Sequence, residues 1–344
     1  MSGQRPVDVS ALVTGIAEHD RRALAQAITL VESTRADHRH AAEELLGALP
    51  PPRGDVMRIG ITGAPGVGKS TLIEALGHAM VGRGERVAVL AIDPTSARTG
   101  GSILGDKTRM VELSRSDDAF IRPSPAGMTL GGVARRTREV IQLCEVAGFR
   151  RVIVETVGVG QSETAVAAMT DVFVLLVAPA GGDQLQGIKR GIMELADFVV
   201  VNKADGDLLP SAHQAVAEYR SALRLMLPRH AGLPAEVLAV SARDGTGLDR
   251  LWEAIRVRRT QLAQSGELSR LRAAQAREWM WAEVREGLVA YAQRAAGVSA
   301  TELERQVVEG RLLPHLAAVQ ILAELAPEAA SADSDATWPG RSGR

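Results

Sequence analysis

The sequence predicts a doubly wound α/β domain built on a mostly parallel sheet. Between residue 56 and about residue 264, short apolar segments alternate with helical patterns. Several of these segments are continuous apolar runs, as expected of strands that helices cover on both faces. Such alternation favours a parallel sheet with right-handed crossovers. The expected strands are 56–62, 86–92, 119–122, 151–155, 171–178, 197–202 and 236–240.

The composition excludes several classes of protein. The 344 residues include 40 Lys and Arg against 41 Asp and Glu, so a nucleic-acid binder recognised by basic charge is not expected. Cys144 is the single cysteine, which excludes an internal disulfide and suits a reducing compartment. No apolar run approaches the length of a membrane span, and the N-terminus is charged. We expect a cytoplasmic protein that does not enter a membrane.

The chain before the first strand is predicted to be helical. Leu24, Ile28 and Val31 recur at the 3–4 spacing of an amphipathic helix. Three consecutive prolines from Pro50 end the pattern, because proline removes a backbone donor and disfavours helix in the residue before it. We therefore place an N-terminal helical segment at 1–52 and the main domain at 53–264. Packing of these helices on the main domain is expected, and a separate function remains open.

A phosphate-binding loop follows the first strand. Residues 63–70 match G-x-x-x-x-G-K-[ST], in which backbone N–H groups surround the phosphates at a helix N-terminus. The lysine of this motif contacts the β- and γ-phosphates. The hydroxyl group of the serine or threonine that follows the lysine binds Mg²⁺. A Gly-rich turn without function is the alternative, and the strand before and helix after favour the nucleotide site. The predicted phosphate-binding residues are Gly63, Ala64, Pro65, Gly66, Val67, Gly68, Lys69, Ser70 and Thr71.

Two strand ends carry signals for guanine. Asn202, Lys203 and Asp205 fit N-K-x-D, in which the aspartate accepts hydrogen bonds from guanine N1–H and the exocyclic amine. Adenine lacks this donor pair, so ATP would leave a charged acceptor unpaired. The next strand, 236–240, is followed by Ser241-Ala242-Arg243, a loop whose backbone amide is expected to contact guanine O6. A helix cap at Asp205 is the alternative, but the combination with the phosphate-binding loop predicts GTP.

Three carboxylates lie near the expected metal site. Asp93 and Glu155 each end a strand, and Glu155 stands where a P-loop protein holds the acid that supports Mg²⁺. Asp106 lies at a helix start, where the helix dipole alone would favour an acidic residue. Glu155-Thr-Val-Gly158 replaces the usual D-x-x-G, and the Gly158 N–H is placed to bond a γ-phosphate oxygen. Segment 156–163 is therefore expected to sense hydrolysis.

Two further loops, 94–105 and 179–191, are polar and begin close to strand ends. Their position favours a switching role over inert surface, although the pattern itself assigns none. Lys189 is our candidate in the second loop for a cation that reaches the phosphates or a partner carboxylate.

The chain after the main domain is predicted to be all-helical. Trp281, Val284, Leu288 and Tyr291 form one apolar seam, which would pack either on the chain's own helices or on another subunit. We place a C-terminal helical segment at 265–326. The tail 327–344 is small, polar and Pro/Gly-containing, and is expected to be disordered.

Four stretches together resemble one family. Residues 93–96, 100–110, 155–163 and 182–189 are similar to the methylmalonyl-CoA mutase-associated GTPases, the MeaB/ArgK family. The resemblance extends from about residue 10 to residue 326. It implies a P-loop GTPase fold and a chaperone of an adenosylcobalamin-dependent acyl-CoA mutase. It also implies that Asp93, Asp106 and Glu155 serve the Mg²⁺ site, which the phosphate-binding motif already assigns to Ser70. The resemblance further implies that 179–191 is a third switch loop and that the C-terminal helices form a homodimer.

Two other functions are weighed against this one. Relatives have been described as kinases of a transport-system binding protein, but the sequence shows no domain for a protein acceptor. A metallochaperone GTPase would need clustered Cys and His ligands, and one cysteine with scattered histidines argues against it. The sequence also lacks D-x-H-x-x-G, so cobalamin is expected to be held by another polypeptide.

Overall fold

The structure is a computed structural model that describes residues 7–33, 35–92, 110–123, 130–156, 162–179 and 190–325. The chain divides into two compact units, Met1–Gln275 and Ala276–Arg344. Among the described residues, no helix is long and apolar enough to cross a membrane.

A parallel sheet forms the centre of the first unit. Its seven described strands run in the order β3-β2-β4-β1-β5-β6-β7, and every neighbouring pair is parallel. The predicted fold class is confirmed, and all seven predicted strands are present within two residues at each end. The strands are β1 Met57–Gly63, β2 Val87–Ile92, β3 Ala119–Arg122, β4 Arg151–Thr156, β5 Val172–Val177, β6 Phe198–Val201 and β7 Glu236–Ala239.

Helices surround the sheet in the described part of the first unit and form the described part of the second. They are α1 Val9–Ala17, α2 Arg21–Glu32, α3 Ala36–Ala48, α4 Lys69–Val81, α5 Val111–Ser114, α6 Leu130–Val146, α7 Ser162–Ala167, α8 Arg190–Leu195, α9 Leu209–Leu223, α10 Leu248–Gln264, α11 Glu267–Val308 and α12 Pro314–Leu325, with a 3₁₀ turn at Gly206–Leu208. Helix α11 starts in the first unit and continues into the second, where the non-helical backbone of Gly297, at φ 43°, divides it into two helices joined by a kink.

The core follows from strands that are apolar on both faces. Every residue of β2, β4, β5 and β6 is buried, because α-helices cover both faces of the sheet. The main apolar cluster joins β1 to α4 and α10, with Ile59 and Ile61 fully buried. This core fixes the carboxyl ends of the strands, where ligands of doubly wound folds bind.

The N-terminal helices belong to the first unit. Asp8 and Asp20 cap α1 and α2 by accepting hydrogen bonds from the backbone N–H groups of Ala11 and Arg22. The predicted stripe Leu24, Ile28 and Val31 is buried, and α2 packs against α6.

The start of α11 is anchored at the amino ends of β1 and β5. Arg272 donates to both carboxylate oxygens of Asp171, at 2.9 and 2.7 Å, and to the carbonyl of Val56 at 2.9 Å. Burial lowers the pKa of Arg272, but its hydrogen bonds to Asp171 and the negative charges of Asp171, Glu145 and Asp55 together outweigh burial and hold that pKa above its usual value. The Gln275 side chain is buried and donates to the carbonyl of Thr170.

Candidate functional site

The phosphate-binding loop connects β1 to α4 through glycines with positive φ. Gly63 has φ 154°, and a Cβ there would lie 2.3 Å from the Leu176 carbonyl oxygen. Gly68 has φ 93°, and a Cβ there would lie 2.5 Å from Asn202 Nδ2. Both positions require glycine on steric and conformational grounds. The loop is therefore shaped by close packing on β5 and on the N-K-x-D segment.

Lys69 begins α4 with its side chain folded back over the loop. Its Nζ donates to the carbonyl oxygens of Gly63 at 2.7 Å and Ala64 at 3.1 Å, and the residue is 7% exposed. A bound nucleotide would offer phosphate oxygens to the same ammonium group. Charge-assisted bonds to phosphate are stronger than bonds to neutral carbonyls, so Lys69 is positioned to exchange one set of acceptors for the other.

Ser70 and Glu155 meet beside the loop. The Ser70 hydroxyl donates to Glu155 Oε1 at 3.3 Å, and Glu155 is 7% exposed. The register places Glu155 opposite Ile61 of β1 and Ala91 of β2, one residue before β4 ends. A hydroxyl and a carboxylate at a helix N-terminus are hard oxygen donors of the type that Mg²⁺ prefers.

A buried hydroxyl pair beside this site was not predicted. Thr62 Oγ1 and Thr156 Oγ1 lie 2.7 Å apart, and both residues are 0% exposed. The pair links the end of β1 to the end of β4, where the E-x-x-G segment begins. Two threonines at the ends of otherwise apolar strands were the available sequence signal.

Asn202 ties the guanine-reading segments to the phosphate-binding loop. Its Nδ2 donates to the Val67 carbonyl at 2.9 Å, and its Oδ1 accepts from the Ala242 N–H at 3.1 Å. The side chain is 2% exposed, so both bonds are shielded from water. The sequence placed Asn202 in the site, but its role as a bridge between three segments comes from the structure.

Asp205 and Ser241 are direct neighbours. The Ser241 hydroxyl donates to Asp205 Oδ2 and accepts from the Asp244 N–H at 3.1 Å. Lys203 lies exposed between Asn202 and Asp205, with a left-handed backbone at φ 57°. The contacts orient the Asp205 carboxylate and hold its segment against the Ser241-Ala242 loop. The Arg243 side chain is 86% exposed, and its Nε lies 3.9 Å from Oδ1 of its neighbour Asp244.

Four predicted site residues lie outside the described residues: Asp93, Asp106, Gly158 and Lys189. The same holds for most of the loops 94–105 and 179–191 and for the tail 327–344. Among the residues that the structure does describe, no group of three or more His, Cys, Asp or Glu side chains is arranged to hold a metal ion.

Fold and site together define a class of protein. A phosphate-binding loop after β1, a carboxylate at the end of β4 and N-K-x-D after β6 converge at one edge of a parallel sheet. This combination is that of a P-loop GTPase.

Comparison with known proteins specifies the family. Residues 24–297 match the family model described as "Methylmalonyl Co-A mutase-associated GTPase MeaB". The chain therefore belongs to the MeaB family, as its sequence motifs predicted, and it is a GTPase that binds guanine nucleotides.

Individual proteins are similar to this chain over most of its length. "Probable GTPase Rv1496" of Mycobacterium tuberculosis is 53% identical over 316 residues, which is 91% of this chain and 94% of that protein. "Methylmalonic aciduria type A homolog, mitochondrial" of Mus musculus is 46% identical, over 91% of this chain and 79% of its own length. A solved structure described as "Crystal structure of LAO/AO transport system kinase" matches with TM-score 0.73 and 36% identity, covering 92% of this chain and 97% of that one.

Proposed function

We propose that this GTPase is a chaperone of an adenosylcobalamin-dependent acyl-CoA mutase, methylmalonyl-CoA mutase or a relative, and that GTP hydrolysis gates cofactor loading and protection of that enzyme. The observation that carries the proposal is the match of residues 24–297 to a family named for its association with methylmalonyl-CoA mutase. The site supports it, because guanine-reading loops and a phosphate-binding loop suit a switch. A cytoplasmic location is part of the proposal and is supported by the single cysteine.

We further propose that hydrolysis depends on Mg²⁺. Ser70 and Glu155, which lie in contact, supply the oxygen donors that the structure describes, and Asp93 and Asp106 are proposed to complete the set. When bound, Mg²⁺ would neutralise charge on the β- and γ-phosphate oxygens. Lys69 would bind the same phosphates, and the backbone N–H groups of 63–70 would fix their orientation.

Three segments that come after strand ends are proposed to change conformation with the nucleotide and so to alter binding of the partner. Along the chain, segments 93–110, 156–163 and 179–191 follow or adjoin the carboxyl ends of β2, β4 and β5, and the phosphate-binding loop follows the carboxyl end of β1. The Gly158 N–H and Lys189 are proposed to respond to the γ-phosphate within them. A γ-phosphate that orders such segments changes the surface that a partner recognises, so hydrolysis changes partner affinity.

The chaperone proposal predicts reciprocal coupling. If GTP changes the affinity for the mutase, the mutase must change the affinity for GTP by the same factor. Partner contacts that order the switch segments should also accelerate hydrolysis. The measurement is GTP turnover with and without an adenosylcobalamin-dependent acyl-CoA mutase from the same organism, with binding of that mutase measured in GTP and in GDP. Unchanged turnover together with nucleotide-independent binding would reject the chaperone role and leave the GTPase intact.

The solved relative is described as a transport system kinase, which provides a second candidate function. The two candidates differ in the fate of the γ-phosphate. Incubation of the chain with γ-labelled GTP and cell extract should release all label as inorganic phosphate if the chaperone proposal is correct. Label retained on a protein would favour the kinase instead.

We propose that the second unit mediates a homodimer. The predicted seam on α11 is exposed in the single chain: Trp281 is 53% exposed, Leu288 61% and Tyr291 54%. Val284 is also exposed, at 39%, so the four residues present a continuous apolar stripe at helical spacing. A stripe of this kind commonly marks a protein interface, and a two-fold axis would pair it with its own copy.

The dimer proposal predicts the effect of one charge. Leu288→Glu should place a carboxylate in the centre of the seam and produce a monomer, because an unpaired charge at an interface core is costly. Leu225→Glu is the matched control, since Leu225 is 85% exposed in the first unit. Light scattering should give twice the 36.5 kDa chain mass for the wild type and the control, and the chain mass for Leu288→Glu. A monomeric wild type at micromolar concentration would refute the proposal.

A further inference from the structure

A cavity lies at the edge of the sheet opposite the phosphate-binding loop. It has a volume of about 390 Å³ and is formed where the chain leaves α1 and α6 and enters β1, β2 and β4. The phosphate-binding loop follows the carboxyl end of β1, and this cavity lies near its amino end. Seven strand residues span roughly 20 Å, so the two sites are separate. We call this cavity the amino-edge pocket.

The amino-edge pocket is lined by an excess of positive charge. Arg53, Arg86, Arg150 and His19 contribute basic side chains. Among the described lining residues the one acid is Glu145, which accepts two hydrogen bonds from Arg58, at 2.6 and 2.9 Å. Because the Glu145 carboxylate is already paired with Arg58, the basic side chains that line the pocket can interact with another negatively charged group.

The three arginines differ in how they are held. Arg86 donates to the Ala147 carbonyl at 2.9 Å, lies 4.5 Å from the centre of the Phe149 ring, and approaches the carboxylate of Asp118 only to 3.8 Å. Arg53 and Arg150 are exposed and, within the described part of the chain, neither forms an ion pair. Burial lowers the pKa of Arg86, Asp118 opposes this shift and Arg21 adds to it. An anion beside Arg86 would stabilise its charged guanidinium group, which burial and the charge of Arg21 disfavour.

Glycines allow the basic side chains to pack close to the backbone along one wall of the amino-edge pocket. Gly148 has φ 82°, and a Cβ there would lie 2.6 Å from His19 Cε1 and 2.9 Å from Arg86 Nη1. His19 itself has a left-handed backbone, at φ 67°, which is uncommon for a residue with a side chain. At the other end, the Arg150 guanidinium packs over Gly54, whose φ is 84°. These backbone conformations hold cationic side chains around a concave space.

We propose that the amino-edge pocket binds the phosphate group of a small phosphorylated molecule other than the nucleotide of the P-loop. A guanidinium group can donate two parallel hydrogen bonds to phosphate oxygens. Arg53 and Arg150, which form no ion pair with any described residue, border a cavity whose size suits a small anion. The remaining wall is apolar, with Ala17, Pro50, Pro51 and Val146, and it would contact the organic part of the ligand.

The test is titration calorimetry on the full chain saturated with GDP, so that the P-loop is filled. Pyrophosphate and AMP serve as probes of an inorganic and an organic phosphate. Both should bind, and AMP should bind more tightly if the apolar wall contributes; equal binding would assign the pocket to the inorganic anion. The double variant Arg53→Ala/Arg150→Ala should bind about tenfold more weakly, because each arginine contributes a charge-assisted bond. Arg224→Ala, at an exposed arginine outside the pocket, should bind like the wild type.

Several results would overturn the proposal. These are no saturable binding of either probe by the wild type, unchanged binding by the double variant, or loss of binding in Lys69→Met, which would place the probe in the P-loop. If the double variant does not fold, phenylglyoxal modification of the wild type replaces it: the probes should protect Arg53 and Arg150, and absent protection rejects the site. GTP hydrolysis by the double variant should equal that of the wild type. Rejection of the amino-edge pocket would therefore not count against the proposed function.

Discussion

Replacement of Lys69 by methionine is expected to slow GTP hydrolysis by about 100- to 1,000-fold, as for removal of a group that stabilises developing charge. The Lys69 ammonium lies over the phosphate-binding loop, bonded to the carbonyls of Gly63 and Ala64. Methionine keeps an unbranched side chain in this position and removes the ammonium group, with its charge and its two hydrogen bonds to the loop. Single-turnover hydrolysis and GTP binding should therefore both be impaired while the free energy of unfolding changes little.

The matched control is Lys203→Met, the same chemical change beside the expected base. Lys203 is exposed and belongs to N-K-x-D, so its loss should weaken nucleotide binding more than it slows hydrolysis of bound GTP. Single-turnover rates at saturating GTP separate the two effects. Wild-type turnover by Lys69→Met would require an active site elsewhere in the chain.

Asp205→Asn is expected to convert the preference from guanine to xanthine. The N-K-x-D motif predicts that the wild-type carboxylate accepts from guanine N1–H and the exocyclic amine, whereas an amide would offer one donor and one acceptor. Loss of hydrogen bonds to a charged acceptor costs about 1.5–3 kcal/mol, which is roughly 10- to 150-fold in GTP affinity. Xanthosine nucleotides carry a carbonyl in place of that amine, so their affinity should increase.

The contact between Asp205 and Ser241 makes this test specific. An asparagine Oδ1 can still accept from the Ser241 hydroxyl, so the Ser241 loop should keep its position. Asp207→Asn, two residues along and exposed, is the matched control and should leave both affinities unchanged. Competition titrations with GTP, XTP and ATP decide the matter; equal binding of ATP and GTP by the wild type would reject the guanine assignment.

The sheet was predictable because its strands are buried on both faces. The runs around Ile153 and Val174 are apolar without interruption, so neither a half-exposed strand nor an amphipathic helix competes with the interpretation. The strand order was not predictable, since crossover lengths do not specify which neighbour a strand pairs with. The insertion of β4 between β2 and β1, which places Glu155 beside the phosphate-binding loop, therefore comes from the structure.

The candidate site was also predictable only in part. Motifs with fixed spacing identified Lys69, Asn202 and Asp205, because the spacing itself carries the chemistry. The bridge made by Asn202 and the Thr62–Thr156 pair were not predicted, because they join positions far apart in sequence. The proposed roles of Asp93, Asp106, Gly158 and Lys189 still depend on motif and resemblance.

The anchor made by Arg272 determines how this GTPase can be dissected. A fragment that ends at the predicted boundary, residue 264, would lose the guanidinium that neutralises the fully buried Asp171. Breaking a buried ion pair by removing one partner costs about 3–5 kcal/mol, a large share of the stability of an average domain. A fragment that ends after Gln275 keeps both the ion pair and the bond to Thr170. The smallest fragment that folds and binds nucleotide by itself should therefore include the first two turns of α11 and should not need the rest of that helix.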